Sequence, residues 1–92
     1  ERFTVYSTEH GLSDNSARVL REDADGTLWI GTRRGGLNRL RHGRLTAYTT
    51  REGLADDCVY QILDDGRGNL WMSCAKGVFR VSRRELDELA EG

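Results

Sequence analysis

The apolar positions of this chain fall in short runs rather than on a helical spacing until close to its end. Ala17–Glu22, Thr27–Thr32, Gly36–Arg41 and Leu45–Thr49 each carry β-branched, aromatic or leucine residues, with Gly, Asp, Asn or His in the gaps. Short runs bounded by turn residues predict antiparallel hairpins. Val59–Asp64, Asn69–Cys74 and Val78–Val81 repeat the arrangement, and one further run, Phe3–Ser7, precedes them all. The runs do not alternate cleanly, which predicts sheets with both faces partly buried. After Val81 the pattern changes. Ser82 stands where a helix cap would, Glu85 follows three residues on, and Leu86 and Leu89 supply an apolar edge, so 83–92 reads as a short helical tail.

The runs repeat. Shifted by 42 residues, Thr4-Val5-Tyr6-Ser7-Thr8 lands on Thr46-Ala47-Tyr48-Thr49-Thr50, and Gly11-Leu12-Ser13-Asp14 lands on Gly53-Leu54-Ala55-Asp56. Asp23, Gly26, Leu28 and Trp29 land on Asp65, Gly68, Leu70 and Trp71. The second copy then drops one residue, and Gly36-Leu37-Asn38-Arg39-Leu40 meets Gly77-Val78-Phe79-Arg80-Val81 at a shift of 41. A four-stranded unit of ~40–45 residues has the period of a β-propeller blade, whereas tetratricopeptide and ankyrin units are helical and leucine-rich units are shorter. The expected fold is therefore all-β: two four-stranded antiparallel propeller blades and a short C-terminal helix. Residues 1–8 read as the outer strand of a neighbouring blade, 9–50 as one blade, 51–82 as a second blade lacking its outer strand, and 83–92 as the tail. Propellers close with ~4–8 blades. The expectation is thus a partial propeller, or part of a ring closed by oligomerisation, whose partners are neighbouring blades of a longer chain or identical copies.

Composition narrows the function. Of the 92 residues 37% are hydrophobic and 32% charged, the net charge is −1, and mean hydropathy is −0.64. Both signs of charge are interspersed, and the one basic cluster, Arg39 to Arg44, is diluted by Leu40, His42 and Gly43. No nucleic-acid partner is expected from such a surface. No apolar run reaches the ~20 residues that span a bilayer, so no membrane contact by this segment is expected. Two cysteines are too few for a four-ligand zinc site or a disulfide scaffold. Cys58 and Cys74 flank the turn at Asp65–Gly68 almost symmetrically. A cross-strand disulfide and two buried free thiols both fit that placement, and the thiols are the preferred reading.

The residues from Gly11 to Thr32, with Leu28-Trp29-Ile30-Gly31-Thr32 at the end and Gly35-Gly36-Leu37 after it, resemble the two-component regulator propeller repeat. That repeat runs from a Gly-Leu turn through a strand ending in Asp and a Gly turn to Leu-Trp-Ile-Gly-Thr and Gly-Gly-Leu. The second copy, Gly53 to Val78, departs from it at Trp71-Met72-Ser73-Cys74 and lacks one glycine before Val78. The resemblance implies a non-catalytic sensor propeller, a ligand-binding module of a bacterial two-component receptor. It implies a periplasmic, extracytoplasmic location and, for some members, an oligosaccharide ligand.

Candidate sites follow from where the loops should gather. In a propeller the loop after the second strand shares a ring face with the loop before the first. That places Arg33 and Arg34 near His10, Ser13, Asp14 and Asn15, with Asp56, Asp57 and Lys76 as the second blade's equivalents. Arginine suits carboxylate or sulfate groups on a ligand. Asp23-Ala24-Asp25-Gly26 resembles a calcium loop but lacks its downstream ligands, so Asp23 and Gly26, like Asp65 and Gly68, are expected to build hairpin turns. Trp29 and Trp71 are expected to fill wedges between blades. Gly31 to Gly36 lacks the Lys-Ser/Thr and the helix of a phosphate loop. Asp14 and Asp56 are the acids closest to a glycosidase pair, but their place after the Gly-Leu turn favours capping. No catalytic residue, metal or cofactor is expected. The competing reading is a structural interaction scaffold or a self-assembling propeller fragment.

Overall fold

The computed structural model describes residues 3–91. Two antiparallel sheets follow each other along the chain. The first contains β1 (Ala17–Glu22), β2 (Leu28–Thr32), β3 (Leu37–Arg41) and β4 (Arg44–Tyr48) in sequential order. The second contains β5 (Gln61–Asp64), β6 (Asn69–Cys74) and β7 (Gly77–Ser82), and the helix α1 (Arg83–Glu91) leaves directly from β7. These are the predicted runs with their ends moved by a residue or two: β2, β3 and β5 start later, while β4 takes in Arg44 and β7 takes in Gly77 and Ser82. Val59 drops out of its strand because its N–H binds Thr32 O, at 2.9 Å, on the first sheet. Between β3 and β4, His42 and Gly43 both have positive φ, at 53° and 77°, as a two-residue turn matched to strand twist requires.

Each hairpin between a first and second strand is locked in the same way. Gly26 and Gly68 sit at φ 88° and 89°. Asp23 Oδ2 accepts the indole N–H of Trp29 at 2.6 Å, and Asp65 Oδ2 accepts that of Trp71 at 3.2 Å. A buried indole needs a partner for its N–H, and the turn aspartate six residues earlier supplies it.

The core lies between the sheets. Trp29, Leu37 and Tyr48 of the first face Val59, Ile62, Leu70 and Met72 of the second, all buried. Trp29 and Tyr48 ring centroids are 6.4 Å apart. Gly31 lets the blades approach: a Cβ there would meet Val19 Cγ1 at 2.5 Å and Val59 Cγ1 at 2.7 Å. Backbone bonds stitch the same seam, with Gly36 N–H donating to Asp57 O at 2.6 Å.

Repeat-equivalent residues fare differently on the far faces. Trp29 is fully buried, but Trp71 is 37% exposed, with the Arg80 guanidinium 5.7 Å from its ring. Leu37 is buried and its counterpart Val78 exposed. Trp71 therefore does not fill a wedge within the described residues, because no further sheet covers its face. Leu20 on the opposite outer face is exposed as well.

Phe3–Ser7 pairs with neither of the two sheets, and Phe3, Val5 and Tyr6 are exposed, as an outer strand is when the blade it would join is not among the described residues. One further expectation is corrected. In α1 the buried positions are Leu86 and Ala90, while Leu89 is exposed, because the helix packs on the first sheet along a different stripe. Tyr48 Oη donates to Leu86 O at 2.5 Å, and Arg39 reaches Asp87 and Glu91, each at 3.0 Å. Ser82 Oγ does cap, accepting from Glu85 N–H at 3.4 Å. Among the described residues no helix is long and apolar enough to cross a membrane.

Trp29→Ala is expected to cost about 3–5 kcal/mol in chemical denaturation, the range for truncating a buried aromatic. Trp71→Ala, at the same repeat position, is expected to cost about 1 kcal/mol. Equal losses would contradict the inter-sheet burial described above.

Candidate functional site on the loop face

The loops before β1 and after β2 do meet. Arg34 N–H donates to Asp14 Oδ2 at 2.9 Å, and Arg33 N–H to Ser16 O at 3.1 Å. Gly35 presses on Ser13 and Asp14 so closely that an added Cβ would collide with Ser13 Oγ. The second blade's approach segment joins them through the Gly36–Asp57 bond. The sequence thus brings Ser13, Asp14, Asn15, Arg33, Arg34 and Asp57 into one corner between the blades.

Most of the polar groups there are already engaged. Asp14 Oδ1 accepts from Ser16 N–H at 2.9 Å, and Asp56 Oδ1 from Cys58 N–H at 3.0 Å. The Ser16 and Arg34 amides, aided by the Arg34 and Arg33 charges, hold the Asp14 carboxyl below the usual carboxylate range. Asn15 Oδ1 accepts from Thr8 N–H at 2.9 Å, and Asp57 Oδ1 from Thr50 N–H at 2.8 Å. Ser13 N–H donates to Asn38 Oδ1 at 3.2 Å, while Asn38 Nδ2 donates to Ser13 Oγ at 2.7 Å. Asn38 is fully buried, and it stands where the second copy has Phe79. A polar residue at an apolar repeat position was the available signal for this contact.

His10 is likewise part of the frame. A single 3-10 turn at Thr8–His10 is capped by Ser7, whose backbone N–H donates to His10 Nδ1 at 3.1 Å. The matching turn at Thr50–Glu52 is capped by Thr49, whose N–H donates to Glu52 Oε1 at 2.7 Å. That bond holds Glu52 below the ordinary carboxylate pKa. What remains outward is cationic. The Arg33 and Arg34 guanidinium groups are exposed and make no side-chain hydrogen bond among the described residues. Lys76 is exposed in the two-residue loop between β6 and β7, where Cys74 pairs with Gly77. No hydrogen bond ties it to the first blade's corner among the described residues.

The opposite loop face holds a charge network that the sequence reading missed. Arg83 Nε lies 3.1 Å from Asp23 Oδ2, and its other nitrogens lie 3.6 Å from Asp25 and 3.8 Å from Asp64. Arg41 reaches Asp25 at 2.5 Å. The Thr27 amide and then Arg41 depress Asp25 from 3.8 to about 2. The Arg67 amide, with Asn69 and Trp71, depresses Asp65 from 3.8 to about 2. Arg41 and Arg83 thus pair with the two carboxylates of the Asp23–Gly26 turn. Both cysteines are free thiols, Cys74 buried and Cys58 only half-buried, because Cys58 N–H turns into the Asp56 loop and leaves the ladder.

Each blade thus carries one unit: a Gly-Leu turn with positive φ at Gly11 or Gly53, an inner strand, the aspartate-locked hairpin, the tryptophan strand and the returning loop. A family model for the two component regulator propeller matches that unit twice, at residues 11–34 and 53–76. The chain belongs to the two-component regulator propeller family. Each match ends in the returning loop, so in both copies of the propeller repeat the matched segment begins and finishes on the same loop face. No curated protein matches the chain significantly. A cavity of about 340 Å³ lies between β7, α1 and the turn after β4, with Gly53 and Leu54 of the second Gly-Leu turn in its lining.

Gly35→Ala is expected to destabilise by about 1–3 kcal/mol, because the added methyl separates the two loops; a denaturation midpoint equal to wild type would contradict the close approach. The pH dependence has a definite sign. Asp25 and Asp65 bind protons more weakly when folded, so their stabilisation is complete above about pH 4 and is lost as pH falls toward 2. Asp25→Asn and Asp65→Asn should lower stability at pH 7 and flatten the fall between pH 4 and pH 2 in urea titrations followed by tryptophan fluorescence.

Proposed function

We propose that this propeller pair is a sensory, ligand-binding part of an extracytoplasmic two-component receptor, with no catalysis of its own. The observation that carries the reading is the exposed Arg33–Arg34 pair on a loop locked from beneath by Asp14, Ser13 and the second blade. A charged rim on a rigid loop keeps its donors in fixed positions, which reduces the ordering cost of binding. Arginine donates in a planar fork matched to carboxylate and sulfate oxygens, so the proposed ligand is an acidic oligosaccharide. Lys76 extends the same charge to the second blade. Ser13, Asp14, Asn15, Asp56, Asp57 and His10 hold the loops, and neighbouring propeller blades are the module's structural partners.

A specific observation favours a second reading, the interaction scaffold: nearly every polar side chain of the corner other than the two arginines is bonded within the loops. Thermal unfolding with a panel of acidic and neutral oligosaccharides separates the two. A ligand at a hundred times its Kd stabilises by about 2.7 kcal/mol, worth roughly 10 °C or more in a chain of this size. One acidic class should produce that rise, and Arg33→Ala with Arg34→Ala should abolish it without lowering the unliganded midpoint. No rise with any glycan would favour the scaffold.

A further inference from the structure

The first strands of the two blades, β1 and β5, lie side by side, and each begins with an irregular position just below the loop face. In β1 the ladder to β2 shifts register between Ala17 and Val19, so Arg18 has no opposite residue. A bulge of this kind re-aims the side chain that it carries. The repeat equivalent of Arg18, at the shift of 42, is Tyr60. Tyr60 stands where the chain is shared between the two sheets. The Val59 N–H donates to Thr32 O of the first sheet at 2.9 Å, and the Tyr60 N–H to Ser73 O of its own sheet at 3.0 Å. That arrangement depends on Gly31, whose missing side chain leaves room for Val59.

These two irregular residues touch. The Arg18 guanidinium lies over the Tyr60 ring, 5.5 Å from its centroid, and both residues are exposed. A guanidinium stacked on an aromatic ring uses its flat face, while its N–H groups point outward in the plane of the group. The stack therefore holds a donor fork open. Arg18 is two residues from Ser16, whose carbonyl accepts the Arg33 N–H at 3.1 Å, so the fork opens beside Arg33 and Arg34. The carboxylates of the same corner, Asp14, Asp56 and Asp57, are turned onto the Ser16, Cys58 and Thr50 amides. Cations face outward here and anions face the backbone.

We propose that Arg18 and Tyr60 form a second anchoring subsite for the ligand of the Arg33–Arg34 rim, and that this ligand is an oligosaccharide with acid groups on neighbouring sugars. The inference rests on the reading of the rim given above and extends it. The rim takes one carboxylate or sulfate and the Arg18 fork takes the next, each through paired N–H donors. The Tyr60 ring, an apolar body with one polar tip, lies against the sugar that joins them. Two anchors on one ligand reinforce each other, because holding the first acid group presents the second at high effective concentration. A single acidic sugar reaches only one anchor. Arg18 belongs to the first blade and Tyr60 to the second, so the subsite exists only while the blades are packed at the Gly31–Val59 seam. A ligand that grips it also fastens that seam.

The test is titration calorimetry with galacturonic acid, its dimer and its tetramer, and with maltotetraose and sulfated maltotetraose. An acidic tetramer should bind about tenfold or more tightly than galacturonic acid, and maltotetraose should not bind. Arg18→Ala should weaken the tetramer about tenfold, the scale of one charge-assisted contact, and leave galacturonic acid unchanged. Tyr60→Ala keeps every charge and should still weaken the tetramer roughly threefold, because the fork is no longer held in place. Arg44→Ala, in the hairpin at the other end of the strands, should change nothing. All three positions are exposed, so the variants should keep the wild-type circular dichroism spectrum. Full tetramer affinity in Arg18→Ala or in Tyr60→Ala, with loss in Arg33→Ala Arg34→Ala, would overturn the subsite and leave the rim standing. An equal loss in Arg44→Ala would reduce the binding to general charge attraction and overturn it too. If no acidic probe bound the wild-type chain, the rim would fall and this subsite with it.

Discussion

The buried indole of Trp29 is the contact on which the remainder of the structure depends. Its ring fills the space between the two sheets, and its N–H has to be satisfied away from water. Asp23 does this from the hairpin turn, so the same side chain that closes the inter-blade core also fixes the turn that precedes it. Asp23 is itself buried and charged, which requires compensation, and Arg83 at the start of α1 provides it. One aromatic residue thereby ties together a hairpin, the blade interface and the docking of the helix.

In chain order the helix follows β7 where a strand, β4, follows β3 in the first blade. It leaves β7 at Ser82 and lies over β3 and β4 of the first sheet through Tyr48, Arg39 and Leu86. Burial keeps the Tyr48 phenol protonated, pushing its pKa up to about 12, so its hydrogen bond to the helix backbone persists at all ordinary pH values. Because α1 is attached to the second sheet and packed on the first, it acts as a strap across the blade pair. Among the described residues the outer edge of β7 has no ladder partner, and the cavity opens beside it.

The loop face follows another economy of parts. Asp14 and Asp56, Asn15 and Asp57, Ser7 and Thr49 make the same local bonds in each blade, always to a backbone N–H near the Gly-Leu turn. Residues that look like a ligand cluster in the sequence are the mortar of the loops. The side chains left over, Arg33 and Arg34, come from the returning loop, which is one residue longer in the first blade than in the second. Any recognition on this face is therefore unequal between the blades, although their frames are alike.

By itself the sequence determined the strands, the turns and the repeat. Glycine at Gly26, Gly68 and Gly43 and aspartate at Asp23 and Asp65 act within a few residues, so their consequences are local and readable. It also determined that Asp14, Arg33 and Arg34 share a corner, because repeat period and loop order set which ends of the strands meet. Burial was decided only by the tertiary structure. Trp29 and Trp71 hold the same place in the repeat, each after a leucine, and make the same aspartate bond, yet one is fully buried and the other is not, because among the described residues only one has a sheet laid over it. The same holds for Leu86 against Leu89, for the Arg83 network that draws on three separate elements, and for Phe3–Ser7, whose strand pattern finds no ladder partner among the described residues. A strand requires a partner edge, and a core position requires an opposing face. Neither is a property of the residue that occupies it.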